Sequence, residues 1–409
     1  MTQVDRRAFL QAAGASALAG ITGQAAPVAS ARMPARSALA PAAPLAWLEI
    51  DDEALRHNTR EVARLAAGRP ILAVVKNNAY GLGVARVGPV FDAAPEVLGF
   101  AVVKPREALT LREAGVKKPI LFMGRTDIET GVALARAGVR LAAFTDDALE
   151  GLAAIARASG APVPVHLYLD TGMSRMGMPY HRAMPWAAAL AGAPHVRIEG
   201  TFTELAERED FDPEQIARFE AFVAAARARG LSLGRLHASS SHALFHRPAW
   251  HFDAVRPGLA LYGAYPDEAR ALGRAELRPA YRLRARVIRV ERVRPGDGVS
   301  YGRNYVAQAP TWIATLAVGH ADGYPRRAVQ GGAVLVGTRT YPVIGAVSAS
   351  HTILEIGEEP SVAIGDVATL VGPDHPAIHP NALAERAGVS VYDVLMHLAI
   401  DLPKARPQD

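Results

Sequence analysis

The sequence predicts an α/β protein: a (β/α)8 TIM-like barrel over residues 45–280, followed by a mainly-β domain over residues 281–409. Eight short apolar runs alternate with longer segments of helical period. The runs are continuous rather than alternating, as strands of a parallel sheet covered on both faces should be. After residue 280 the rhythm changes to short strands separated by Gly, Pro and Asp turns.

The runs are "PILAVV", "VLGFAVV", "KPILFMG", "VRLAAFT", "PVHLYLD", "VRIEGTF", "SLGRLHA" and "FDAVRPGLALYG". Between them lie segments such as "PREALTLREAG" and "DDALEGLAAIARASG", the second opening on Asp and closing on Gly as a capped helix does. Repeated βα units imply a parallel sheet, and eight of them a closed barrel. Beyond it, "YRLRARVIRVERVRPGDGVSYG", "TWIATLAVG", "AVLVGTRTYPVIGAV" and "VAIGDVATLVG" read as strands of a separate sheet. "AWLEI", ahead of the first βα unit, has no helix partner and is expected to join that second sheet.

The start of the chain reads differently. Arg6-Arg7 precede Phe9-Leu10, a mild Ala/Gly-rich apolar stretch, and the small residues Ala29-Ser30-Ala31. That order suits a twin-arginine-type export signal over residues 1–31, with a Pro/Ala linker over 32–44 and a periplasmic location for the mature protein. No later segment is long and apolar enough to span a bilayer, so no membrane partner is expected after signal removal. The 409 residues, half of them apolar, can bury a large core. A net charge of +5 without a basic, aromatic-interleaved run argues against nucleic acid. The absence of cysteine excludes disulfides, thiolate nucleophiles and Cys-ligated zinc.

Function in such a barrel sits at the C-terminal ends of the strands. Lys76 ends the first run, in "AVVKNNAYGLG". On position alone it reads as a surface lysine or as an amine whose pKa is lowered by partial burial, fit to bind an aldehyde. The surrounding residues resemble the signature around the pyridoxal phosphate lysine of the alanine racemase family. "DTGMSRMG", "RPGLALYG", "VSYGRNY" and "HADGYPR" resemble further motifs of that family, in the same order. The resemblance covers about residues 45 to 400, and the family fold is a barrel followed by a β domain.

The resemblance implies a pyridoxal phosphate-dependent amino acid racemase acting as a homodimer with shared active sites. Lys76 would anchor the cofactor, and Arg256 would face its ring nitrogen, where an always-protonated guanidinium can only donate. Arg175 would lie near the cofactor's phenolic oxygen and the substrate. Tyr80, Ser240, Ser241, Gly258, Leu259 and Tyr392 would hold the phosphate. Tyr301 would be the second base, reaching the site from the neighbouring subunit.

The chain also departs from the family. The lysine expected two residues before Asp170, carbamylated in the family, is Tyr168, and the histidine of the family's "THF" is Glu204. The family's "NSA" is Ser240-Ser241-His242, its "CMDQ" is Ser348 to His351, with Ala349 and Ser350 inside, and the first tyrosine of "GYADGYPR" is His320. Each change at His320, Ala349 and Ser350 removes bulk or negative charge from the substrate side. Exported relatives include broad-specificity racemases, so substrates beyond alanine are expected.

Other readings remain. His237, His242, His246 and His251 lie on one segment and could suggest a metal-dependent hydrolase, but no H-E-x-x-H pattern accompanies them and no metal is expected. The departures could leave a cofactor-binding protein without catalysis, or the fold could run a decarboxylation or an aldol cleavage. The presence of Tyr301 favours racemisation.

Overall fold

The structure, a computed structural model, describes residues 43–407. The expected signal over 1–31 and all but the end of the linker lie outside the described residues.

All eight apolar runs become parallel barrel positions. Strands β2 (Ile71–Val74), β3 (Val97–Val102), β4 (Ile120–Phe122), β5 (Val139–Ala143), β6 (Val163–Asp170), β7 (Val196–Thr203) and β8 (Arg235–His237) pair in sequence order. The eighth run supplies only the bridges His237 to Ala254 and Ile71 to Val255. These still close the ring, because Leu72 N–H donates to Val255 O at 2.8 Å and Val74 N–H to Pro257 O at 3.0 Å. Beyond Pro257-Gly258 the short turn Leu259–Tyr262 packs against the helix Asp52–Leu65, where Asn58 Nδ2 donates to Leu261 O at 3.3 Å. The outer helices follow from period and capping. In the helix Asp52–Leu65, Asp51 accepts from Ala54 N–H at 2.9 Å, and Ala54, Leu55, Asn58, Thr59 and Val62 form its buried stripe.

"AWLEI" is β1 (Ala46–Ile50), and it pairs antiparallel with the long β9 (Tyr281–Val293). Beyond a bulge between Val287 and Arg289, β9 turns to β10 (Thr311–Leu316). With β11 (Ala333–Val336), β12 (Arg339–Ile344), β13 (Thr352–Gly357) and β14 (Val367–Val371), it forms a closed six-stranded antiparallel ring in the order β9-β10-β13-β12-β11-β14. The same long strand thus ties β1, and through it the start of the barrel, to the second domain.

The stretch after β2 departs from ordinary backbone. Asn77, Asn78, Ala79 and Tyr80 all adopt φ between 53° and 56°. A left-handed conformation costs roughly 1–2 kcal/mol per non-glycine residue, least for Asn. The buried Glu107 carboxylate offsets part of it, accepting from Asn78 N–H at 3.0 Å, Val103 N–H at 3.2 Å and Lys104 N–H at 3.0 Å. Asn78 Oδ1 accepts from Val84 N–H at 3.0 Å and closes the turn. The two asparagines and the glycines of "KNNAYGLG" are there because the chain must reverse its hand immediately after Lys76.

Candidate active site

A cavity of about 220 Å³ opens at the C-terminal end of the barrel strands. Lys76, Tyr80, Arg175, Glu204, Ser240, Ser241, Arg256, Gly258 and Tyr392 line it, which gathers all but one of the residues expected to hold the cofactor. Leu259 is the exception: it follows Gly258 but does not line the cavity, and its side chain is buried in the core.

Lys76 stands two residues beyond the end of β2, at the start of the left-handed turn. Burial lowers its pKa; Arg175 and Arg256 add to this, while Glu204 opposes it. Arg256 is 3% exposed. Its Nη2 donates to Glu204 Oε2 at 2.7 Å and to Thr203 O at 3.0 Å, and its guanidinium lies 5.1 Å from the centre of the Phe202 ring. Its Nη1 is 2.7 Å from His237 Nδ1. An arginine only donates, so that nitrogen must accept and the proton sits on His237 Nε2. This in turn donates to His166 Nδ1 at 2.9 Å. Burial lowers the pKa of both imidazoles, His166 to about 4, which keeps the relay neutral. His237, a metal candidate on sequence, is thereby committed to Arg256.

Glu204 does more than replace a histidine. While one oxygen binds Arg256, the other lies 3.9 Å from Arg175 Nη2, so one carboxylate bridges both arginines. Burial alone would raise its pKa; Arg256, Lys76 and Arg175 more than offset that and hold it below 4.5. Tyr168 touches Arg175 but supplies no charge. Its ring stacks on Phe202 at 4.2 Å, and burial, with Glu204 nearby, pushes its hydroxyl up to about 12. The negative charge facing Arg175 therefore comes from Glu204.

On the opposite wall, Ser241 Oγ accepts from Gly258 N–H at 3.1 Å and Ala260 N–H at 3.2 Å. The Tyr80 ring is 4.6 Å from Tyr262 and 6.3 Å from Tyr392. A Cβ on Gly258 would fall on the Tyr80 hydroxyl, so only glycine fits. An amine of lowered pKa, a buried guanidinium and a cradle of hydroxyls around a required glycine fit an aldehyde cofactor with a pyridine nitrogen and a phosphate.

Sequence reasoning missed Glu207, which also lines the cavity. It stands in the charged run "ERED", which reads as a solvated loop, and nothing in that run marks one residue as turning inward. Glu107 was missed because its role depends on a contact with a turn 29 residues away.

The remaining predicted residues form a second cluster, on loops of the β domain. Tyr301 is 78% exposed and lies outside the cavity of its own chain. Around it, Ser300, Gly302 and Arg303 take φ of 64°, 72° and 51°. Ser300 Oγ donates to Ala346 O at 3.4 Å, while His320 N–H and Ala321 N–H donate to Ser348 O and Ala349 O. These bonds tie the loops that carry Tyr301, His320, Ala349 and Ser350 to one another, and none of the last three residues lines the cavity of its own chain. His320 instead borders a cleft with Arg326, Arg327, Asp393 and His397.

The fold and the cavity together define a barrel enzyme built to hold pyridoxal phosphate. Family models described as "Alanine racemase, N-terminal domain" and "Alanine racemase, C-terminal domain" match residues 50–266 and 280–405. The chain is 34% identical over 365 residues to the alanine racemase of Desulfovibrio desulfuricans, covering 88% of this chain and 97% of that one. It is 36% identical over 356 residues to that of Syntrophobacter fumaroxidans, covering 85% and 94%. Among solved structures, the alanine racemase from Streptomyces lavendulae superposes with a TM-score of 0.83 at 29% identity, over 90% of this chain and 98% of that one. The chain belongs to the alanine racemase family, whose members are pyridoxal phosphate-dependent isomerases.

Proposed function

We propose that this chain is a periplasmic amino acid racemase, acting on alanine and on larger side chains, whose active site combines residues of two subunits. Pyridoxal phosphate, when bound, supplies an electron-withdrawing ring that makes the substrate Cα–H acidic. Lys76 Nζ, with its lowered pKa, removes or returns the proton on one face. The hydroxyl of Tyr301 from a second copy does so on the other. Arg256 would face the ring nitrogen, where a guanidinium donates a hydrogen bond and accepts none. Arg175, steadied by Glu204, orients the substrate.

The observation that carries the two-subunit reading is the separation of Tyr301 from the cavity. A large aromatic at 78% exposure, on a loop of unfavourable backbone angles, is poorly explained by its own fold. Docking against a second cavity gives it a role. The small Ala349 and Ser350, with His320 on the same face, would then border the partner's substrate and leave room for longer side chains. Export rests on the Arg6-Arg7 segment.

Complementation tests this reading. Lys76→Ala and Tyr301→Phe proteins, each inactive alone, should when co-expressed regain about one quarter of wild-type activity, since half the dimers are mixed and each mixed dimer holds one intact site. Chiral chromatography of L-alanine incubations reads the result. No recovery, with mixed dimers shown to form, would mean both bases come from one chain.

A further inference from the structure

His166 has no role in the proton transfers, yet it is buried inside the barrel, 8% exposed. It stands on β6 just past a bulge between Val165 and His166 that resets the register against β7. A buried imidazole gives up its hydration and needs polar partners in return. Among the described residues the one hydrogen bond of its ring is to His237. Glu199 does not need it, because that carboxylate already accepts from Arg140 Nε at 2.8 Å and Arg197 Nε at 2.9 Å. Gly200, its register partner on β7, keeps the room for the ring: a Cβ there would fall 2.5 Å from His166 Nδ1.

The hydrogen bonds run in one direction. Arg256 Nη1 donates to His237 Nδ1, and His237 Nε2 donates to His166 Nδ1. His166 must then carry its own proton on Nε2. Its ring borders a second cavity, of about 160 Å³, at the N-terminal end of the barrel strands. Leu72, Pro119, Arg140, Glu199 and Arg235 wall that cavity, which has room for water to accept the last hydrogen bond. A second proton, on His166 Nδ1, would set donor against donor and undo the contact back to Arg256. Burial, with Arg140, Arg256 and Arg235 against the opposing Glu199, lowers the His166 pKa to about 4 and keeps that nitrogen an acceptor. The Phe202 ring, 4.9 Å from His237 and inclined by 7°, restrains the plane of the imidazole. It does not decide which edge faces Arg256; an acceptor on the far side does.

We propose that His166 is a positioning residue for Arg256: its Nδ1 fixes the tautomer and edge of His237, and so holds the guanidinium where it faces the cofactor's ring nitrogen. The proposal rests on the reading that places Arg256 at that nitrogen. His166 lines no part of the active-site cavity and acts only through His237.

Three variants separate position from packing. His166→Leu fills similar space without an acceptor. His166→Asn puts an amide oxygen close to where Nδ1 stood, and His166→Gln is polar but a methylene too long. In wild-type holoenzyme isotope-labelled at its histidines, the His237 Nε2–H should give a protected imidazole proton resonance, assigned by its absence from His237→Gln. The resonance should be lost in His166→Leu and His166→Gln and return in His166→Asn. With it, kcat for alanine should fall roughly 10- to 100-fold with little change in KM, as when a group at the reacting centre is misplaced, and recover in the asparagine variant. The glutamine variant carries the comparison if leucine does not fold. A resonance unmoved by leucine or glutamine would overturn the proposal. So would a lost resonance with kcat intact, or a loss of kcat that asparagine does not reverse. If the wild type racemises nothing, the racemase reading fails on its own. The dissociation constant of pyridoxal phosphate then decides: weaker retention in His166→Leu or His166→Gln, restored by asparagine, would still uphold the positioning of Arg256, and equal retention would overturn it.

Discussion

The two clusters of functional residues are built in opposite ways. The barrel cluster is buried and over-determined: Arg256 has four partners in His237, Thr203, Glu204 and the Phe202 face, and Lys76 is set by a turn that Glu107 clamps. The β-domain cluster is exposed and carried on loops, with Tyr301 flanked by unfavourable backbone angles. A cofactor must be held in one place through every turnover, so its groups are pre-organised within a single fold. If Tyr301 serves another copy, as proposed, it has to be presented at a surface, and its order would come from docking.

The largest effect should separate the clusters. Lys76→Ala should abolish both isomerisation and the cofactor's lysine-linked absorption. Tyr301→Phe should lower kcat by roughly 10²–10⁴, the usual weight of a general acid–base group, while leaving the absorption as in the wild type. Loss of cofactor signal in the Tyr301 variant would mean that the β-domain loop also builds the cofactor site, and the contrast would break down.

Legibility in the sequence divides along the same line. The barrel was readable because each strand is an apolar run and each helix carries its caps. Lys76, Arg175 and Arg256 were readable because they stand in extended motifs. The second sheet's claim on "AWLEI" was readable from the missing helix partner. Three-dimensional charge sharing was not. Glu204 reads as the replacement of one histidine, but its two oxygens serve two arginines that lie 81 positions apart in the chain, and only folding brings them together. Glu207 was hidden because a charge run on a loop carries no periodicity to say which member turns inward.

Glu204→Gln sharpens the account of the barrel cluster. Removing one partner of a buried ion pair typically costs about 3 kcal/mol, and Arg256 would keep its His237 and Thr203 contacts. The pH dependence has a definite sign. The carboxylate's pKa in the fold lies below 4.5, so the unfolded chain binds the proton first as pH falls. Its contribution is complete above pH 4.5 and fades below it, as pH descends through the folded value. Denaturant unfolding of wild type and variant should therefore differ most at neutral pH and converge in acid. A constant gap across that range would place the stabilisation in packing rather than in the charge.

Gly258→Ala tests the smallest feature, the cradle. The added Cβ would fall on the Tyr80 hydroxyl, and Tyr80 cannot retreat freely because Tyr262 packs against its ring at 4.6 Å. Overpacking of this kind costs about 1–3 kcal/mol. Because the clash displaces a hydroxyl at the phosphate cradle, the loss should be concentrated in cofactor retention, with a lower melting temperature in holoenzyme and a smaller change in apoenzyme. Pairing it with Tyr80→Phe discriminates further: if the clash is with the hydroxyl, removing that oxygen should recover part of the holoenzyme's stability. If the double variant is no better than Gly258→Ala alone, the strain lies in the backbone around Gly258, and the glycine is required for the turn itself rather than for room beside Tyr80.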